Sequence, residues 1–137
     1  MNKQILDNRF MSRDPSKIDT DILEDLICRF LINLPKEEKQ FPRLMFNIRE
    51  ACYFYADNYF TITKPTIDKD YEKKFAKAIF ENWSYLRDDK QNRYIEKFDS
   101  IWKKFMDYIG KIPSYGAIIF NQKLDKILFN IYFNMQD

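Results

Sequence analysis

The chain has 137 residues and a mass of 16.8 kDa, with 45% hydrophobic and 32% charged residues, a composition that fits one folded globular domain and not a disordered tail. Its 23 basic and 21 acidic residues leave a formal charge of +2, so the totals contain no strongly basic nucleic-acid arm. Histidine is absent, which excludes a histidine base, a Ser-His-Asp triad and histidine metal ligands; two glycines, Gly110 and Gly116, cannot build a phosphate-cradling loop.

Residues 1–18 are polar and interrupted by Pro15, and they read as a loose leader with no apolar run long enough for a signal peptide. No stretch approaches a membrane span. Asp19, Thr20 and Asp21 offer N-cap side chains, and Ile22, Leu23, Leu26, Ile27, Phe30, Leu31 and Leu34 follow at helical spacing. The pattern predicts a first helix from about Asp21 to Asn33, stopped by Pro35.

Pro42 suits the first turn of a second helix, whose face carries Leu44, Met45, Ile48, Cys52, Tyr55 and Tyr59 and which should reach about Phe60. Asp68 or Asp70 can cap a third, carrying Tyr71, Phe75, Ile79 and Phe80. After a turn near Ser84–Asp89, a fourth long helix carries Tyr94, Ile95, Phe98, Ile101, Trp102, Phe105 and Ile109, with Gly110 as its stop. The pattern then changes. Gly116–Phe120 is a short apolar run, Asn121–Asp125 a polar turn, and Lys126–Phe133 alternates, which reads as a β-hairpin. A lone hairpin is marginal in water, so this part looks like the opening of a second domain. The expected fold is all-α, a compact bundle of about four to five helices followed by a short C-terminal β-hairpin. Residues 1–18 form the leader, 19–110 the helical domain and 111–137 a hinge with the truncated start of a second domain.

Aromatic residues make up 18% of the chain, 13 Phe, 9 Tyr and 2 Trp, enough to fill a core of this size with large rings. The two cysteines, Cys28 and Cys52, form no C-x-x-C pair; both fall in apolar helical patterns and are expected to be buried free thiols in a reducing compartment. Neither has a histidine to activate it as a nucleophile.

Four segments in order carry a resemblance. Ile22-Leu23-Glu24-Asp25-Leu26-Ile27-Cys28-Arg29-Phe30-Leu31-Ile32-Asn33-Leu34-Pro35 has an Arg-Phe pair before an Asn-x-Pro ending. Phe46-Asn47-Ile48-Arg49-Glu50-Ala51-Cys52-Tyr53-Phe54-Tyr55-Ala56-Asp57 is the second, and Phe75–Glu81 fits an intervening helix. Tyr108–Asn121, with Ile112-Pro113 leading to Gly116-Ala117-Ile118, is the last. Together they resemble the N-terminal Box A regulatory domain of the mRNA-decapping protein 2 family, the Nudix-type decapping enzymes, over residues 22–133.

The resemblance implies a helical domain that binds the EVH1-type activator, decapping protein 1, and forms part of the pocket for the mRNA 5' cap. It places Tyr53 and Asp57 at the family's cap-binding Trp and Asp, Tyr108 at a gating hinge tyrosine and Lys111 at a basic hinge residue facing RNA. Arg29, Phe30, Asn33 and Pro35 match its partner-binding pattern. A division follows in which Ile22, Leu26 and Phe30 pack inward while Leu23, Ile27 and Leu31 meet the activator. It also implies a cytoplasmic protein, found in mRNA-processing bodies.

A methylated guanine is flat and cationic, so it suits an aromatic ring with a carboxylate beside it. The i, i+4 spacing of Tyr53 and Asp57 puts both on one helical face; spacing alone favours a packed tyrosine and a solvated aspartate, and it is the resemblance that brings the cap-binding reading level with it. Trp is the better partner for a cation, so Tyr53 should bind more weakly. The family's catalysis needs Mg²⁺ or Mn²⁺ held by several glutamates downstream of the hinge. Here the last glutamate is Glu96, and only Asp125 and Asp137 follow Gly116, so this chain alone should not hydrolyse caps. Two other readings stay open: a helical interaction module that kept the fold without the decapping role, and the front of a full-length cap hydrolase.

Overall fold

The computed structural model describes residues 13–60, 63–113 and 116–128. Five α-helices follow a short 3₁₀ turn at Pro15–Lys17: α1 (Thr20–Phe30), α2 (Arg43–Asn58), α3 (Lys69–Asn82), α4 (Ser84–Arg87) and α5 (Phe98–Lys111). Helix α2 packs on both α1 and α3, and α3 also receives the 3₁₀ turn, α4 and α5. Among the described residues no helix is long and apolar enough to cross a membrane.

Local chemistry sets the helix starts. Asp19 accepts the Asp21 N–H at 3.0 Å and opens α1, and Asp68, not Asp70, accepts the Tyr71 N–H at 2.8 Å and opens α3. Pro42 sits at the N-cap of α2, one place before its expected position. Helix α1 ends three residues early. Leu31 leaves helical geometry at φ −123°, and the N–H groups of Leu31 and Ile32 both donate to the Ile27 carbonyl at 3.0 and 3.1 Å, which drives Leu31 into the core.

Helix α5 also differs from expectation. Arg93 adopts φ 52°, a left-handed conformation that stops a helix, so Tyr94 and Ile95 lie in the turns before Phe98. Gly110 lies inside α5, and the helix ends at Lys111, before Ile112-Pro113. In the expected leader, Pro15 and Ile18 are buried, and Ile18 joins the core. The expected hairpin is a single antiparallel bridge among the described residues, Phe120 to Ile127, closed by Asn121 N–H to Lys126 O at 3.1 Å; residues 129–133 lie outside the described residues.

The aromatic excess becomes two packed series of rings. One runs Tyr94–Phe41–Phe80–Phe98–Trp102–Phe105–Phe46–Tyr108, with neighbouring centroids 4.9 to 6.4 Å apart. The other joins Phe30, Phe54, Tyr59, Tyr55, Phe60 and Phe75. Such edge-to-face and tilted pairs favour one packing over its alternatives. The cysteines part ways: Cys52 is buried, as expected, while Cys28 is exposed, because it falls between the buried positions Ile27 and Leu31 on the outer side of α1.

Burial also fixes an alkaline limit to the fold. Desolvation pushes the Cys52 thiol up to about 12 from an ordinary value of 9.0, and the Tyr55 hydroxyl up to about 12 from 10.0. Tyr59 is pushed up to about 12 by desolvation and then by its hydrogen bond to Asp25, and Tyr71 is raised by desolvation. Each group holds its proton more tightly folded than unfolded. Stability is therefore intact below pH 9 and is lost as pH rises from 9 through about 12. Urea midpoints should be flat from pH 7 to 9 and fall steadily above it; a midpoint that holds to pH 11 would contradict this burial pattern.

Candidate functional site: the outer stripe of α2

Phe46, Arg49, Tyr53 and Asp57 recur at three- and four-residue spacing and so share one side of α2. Its other side, Leu44, Met45, Ile48, Cys52, Tyr55 and Ala56, is buried and fixes which way the stripe faces. Tyr53 is 40% exposed despite its size. Its hydroxyl donates to Glu72 Oε1 on α3 at 3.0 Å. Arg49 Nε donates to the same oxygen at 3.2 Å, and its guanidinium carbon lies 6.0 Å from the Tyr53 ring centroid. Desolvation and then the Glu72 hydrogen bond raise the Tyr53 phenol above its ordinary value of 10.0, so it is a neutral donor at physiological pH.

Asp57 stands one turn beyond Tyr53, exposed, with Lys64 Nζ 3.3 Å from Oδ1. An exposed pair of this kind contributes little stability, so the carboxylate is readily given up to another donor. Tyr108, on α5, is 46% exposed and packs edge-on against Phe46, with centroids 6.1 Å apart. Phe46 precedes Tyr53 by two turns, ~10 Å of helical rise. Tyr53 and Asp57 thus share the α2 stripe, and Tyr108 meets that stripe at its Phe46 end. Beside Tyr108 a groove of about 450 Å³ opens between Phe41, Met45 and Tyr94, with Lys97 and Lys104 at its edge. Lys111 is exposed at the end of α5 and makes no ion pair among the described residues.

The expected division of the first helix is overturned. Leu23, Ile27 and Leu31, expected to meet the activator, are buried core residues; of the three expected to pack inward, Leu26 is fully buried and Ile22 and Phe30 pack against the core but are only partly covered. Helix α1 meets both α2 and α3, so it is covered from two sides and its apolar stripe is taken up by the core. What α1 leaves open is Arg29, Ile32, Asn33 and Pro35, with part of Phe30. Arg29 is held by Asp25 at 3.0 Å and lies over the Phe54 ring at 5.5 Å, and Phe30 meets the same ring at 5.2 Å.

Arg49 and Glu72 escaped the sequence reading as site residues. Arg49 was visible as the residue one turn before Tyr53. Glu72 was visible only as a charge on the Tyr71–Phe75–Ile79 face of α3, where a carboxylate needs a partner. Among the described residues no three Cys, Asp or Glu side chains converge to hold a metal ion.

Residues 21–108 match the profile of the Dcp2 box A domain, the greater part of the chain. The mRNA-decapping enzyme subunit 2 of Arabidopsis thaliana is 32% identical over 115 residues, covering 83% of this chain and 28% of that protein. The m7GpppN-mRNA hydrolase of Saccharomyces cerevisiae is 35% identical over 108 residues, covering 78% of this chain and 10% of that protein. A Caenorhabditis elegans m7GpppN-mRNA hydrolase, dcap-2, is 28% identical over 117 residues, covering 82% and 14%. This chain thus spans between a tenth and under a third of these relatives' length. The match covers α1, α2, α3, α4 and most of α5, including Tyr53, Asp57 and Tyr108, and on it the chain belongs to the family of Dcp2 box A domains.

Proposed function

We propose that this chain is the regulatory domain of an mRNA-decapping enzyme, contributing one wall of the pocket for the mRNA 5' cap and no catalysis of its own. The observation that carries the reading is Tyr53: an exposed ring, oriented through its hydroxyl, with the Asp57 carboxylate one turn away. A cationic methylguanine would stack on the ring while Asp57 accepts from its N–H edge. Tyr108 is proposed to border the same pocket and Lys111 to hold an RNA phosphate beyond it. Metal-assisted hydrolysis with Mg²⁺ or Mn²⁺ is assigned to parts of the relatives outside the matched segment.

The activator, decapping protein 1, is proposed to dock on the open end of α1, at Arg29, Phe30, Ile32, Asn33 and Pro35, and the place of action is the cytoplasm, including mRNA-processing bodies. Leu23, Ile27 and Leu31 take no part in that contact, since they are core.

Titrating m7GDP into the isotope-labelled chain should shift NMR signals around Tyr53 and Asp57. Tyr53→Ala should weaken binding by about ten-fold or more, given roughly 1–3 kcal/mol per stacked base. Unchanged affinity in Tyr53→Ala would exclude this ring as the cap platform.

A further inference from the structure

We infer that Arg49 and Glu72 are positioning residues for Tyr53: together they hold the ring in place and keep its open face receptive to a flat cation. The inference rests on the cap-pocket reading for its ligand, but its geometry stands without one.

Glu72 is the only charged residue buried in the core among those described, at 7% exposure. A carboxylate placed there costs free energy unless it is paired and hydrogen-bonded. Both of its hydrogen-bond partners come from α2, and both address the same oxygen: Arg49 Nε at 3.2 Å and the Tyr53 hydroxyl at 3.0 Å. Tyr53 is therefore gripped at its hydroxyl from α3 and flanked by a guanidinium from its own helix. The ring cannot swing about its first side-chain torsion without giving up a hydrogen bond to a buried carboxylate.

The pair also sets the charge at the ring. Arg49 already lies over one face of the Tyr53 ring, and without Glu72 its positive charge would stand uncompensated beside the face that a cationic base must approach. Glu72 cancels that charge, so the site presents an oriented, neutral phenol. The carboxylate on α3 thus decides whether the aromatic platform on α2 accepts a cation, although it need not touch the ligand.

The test is the ratio of affinities for m7GDP, whose base is cationic in mildly acidic solution, and GDP, whose base is neutral, measured by NMR titration at pH 6. Both ligands carry a diphosphate, so its attraction to Arg49 cancels in the ratio. Glu72→Gln keeps an acceptor for Tyr53 but leaves Arg49 uncompensated; the m7GDP preference should fall by roughly two- to five-fold. Arg49→Gln combined with Glu72→Gln should return it to the wild-type ratio, and Arg49→Gln alone should raise it. A ratio indifferent to all three overturns the charge role. If Glu72→Gln fails to fold, Arg49→Gln alone decides that point.

Should the wild-type chain bind neither nucleotide, the cap-pocket reading fails, and the positioning role is read from Tyr53 itself. Glu72 and Arg49 are the charged groups acting on its phenol. With tyrosines carbon-13 labelled at the ring carbon that bears the hydroxyl, and the signal assigned by Tyr53→Phe, its titration midpoint should drop toward that of free tyrosine in Glu72→Gln. A midpoint that stays put shows that Glu72 does not hold the ring.

Discussion

Leu31→Asp should unfold the domain outright. Leu31 is fully buried, at 0% exposure, between α1 and the rest of the core. The position belongs to the hydrophobic core cluster. An aspartate there would have to stay charged without a partner, or take up a proton at neutral pH, and either course costs several kcal/mol on top of the lost leucine packing. A domain of this size holds about 5–15 kcal/mol in total, so little would be left. Circular dichroism at 25 °C should show loss of helix or a collapsed thermal transition, and Leu23→Asp should behave alike. Ile32→Asp, one residue along and 46% exposed, should stay folded, within about 0.5 kcal/mol of wild type. A cooperative melt of Leu31→Asp near the wild-type temperature would show that this end of α1 is not packed as described. The contrast also governs how activator binding is probed. Loss of binding in Leu23→Asp or Leu31→Asp reports an unfolded domain, whereas Ile32→Asp and Arg29→Glu test the surface itself.

The α1 case shows what periodicity can and cannot tell. The stripe Ile22, Leu23, Leu26, Ile27, Phe30, Leu31 is wider than one narrow contact needs, and its width was legible. Which edge lies deepest depends on where α2 and α3 come to rest, and spacing within α1 contains no such information. The same holds for Cys28, whose apolar neighbours in sequence lie on the opposite side of the helix. The start of α5 was misplaced for a different reason. Tyr94 and Ile95 continue the apolar rhythm, but Arg93 turns left-handed, its guanidinium tied to Glu96 at 2.8 and 3.0 Å, and nothing in the residue type forecasts that turn. By contrast, the N-caps at Asp19 and Asp68 and the shared face of Tyr53 and Asp57 follow from chemistry within one turn. Glu72 lies between these cases. A carboxylate on an apolar face announces that it has a partner, but naming Arg49 and Tyr53 required the packing of α3 on α2.

Phe80→Ala should be the most damaging neutral change in the larger aromatic series. Phe80 is fully buried on α3, with Phe98 4.9 Å away edge-on and Phe41 5.9 Å away, so it joins α5 to the segment leading into α2. Removing the ring forfeits its transfer free energy and leaves a cavity that three separate elements would have to close together, at a cost of about 3–5 kcal/mol. The urea midpoint should fall steeply while the slope of the transition stays near wild type, since the surface exposed on unfolding hardly changes. Phe80→Leu, which keeps most of the volume, should cost clearly less, and Tyr85→Ala, at a 43% exposed ring, only a fraction of that. A loss below about 1.5 kcal/mol for Phe80→Ala would mean that Phe41 and Phe98 collapse into the space and that the series is pliable. That outcome would matter beyond stability, because the same series ends at Phe46, on the exposed stripe, and at Tyr108, which packs against it. A pliable series would leave Tyr108 free to re-pack against Phe46; a rigid one holds Tyr108 in place at the Phe46 end of α2.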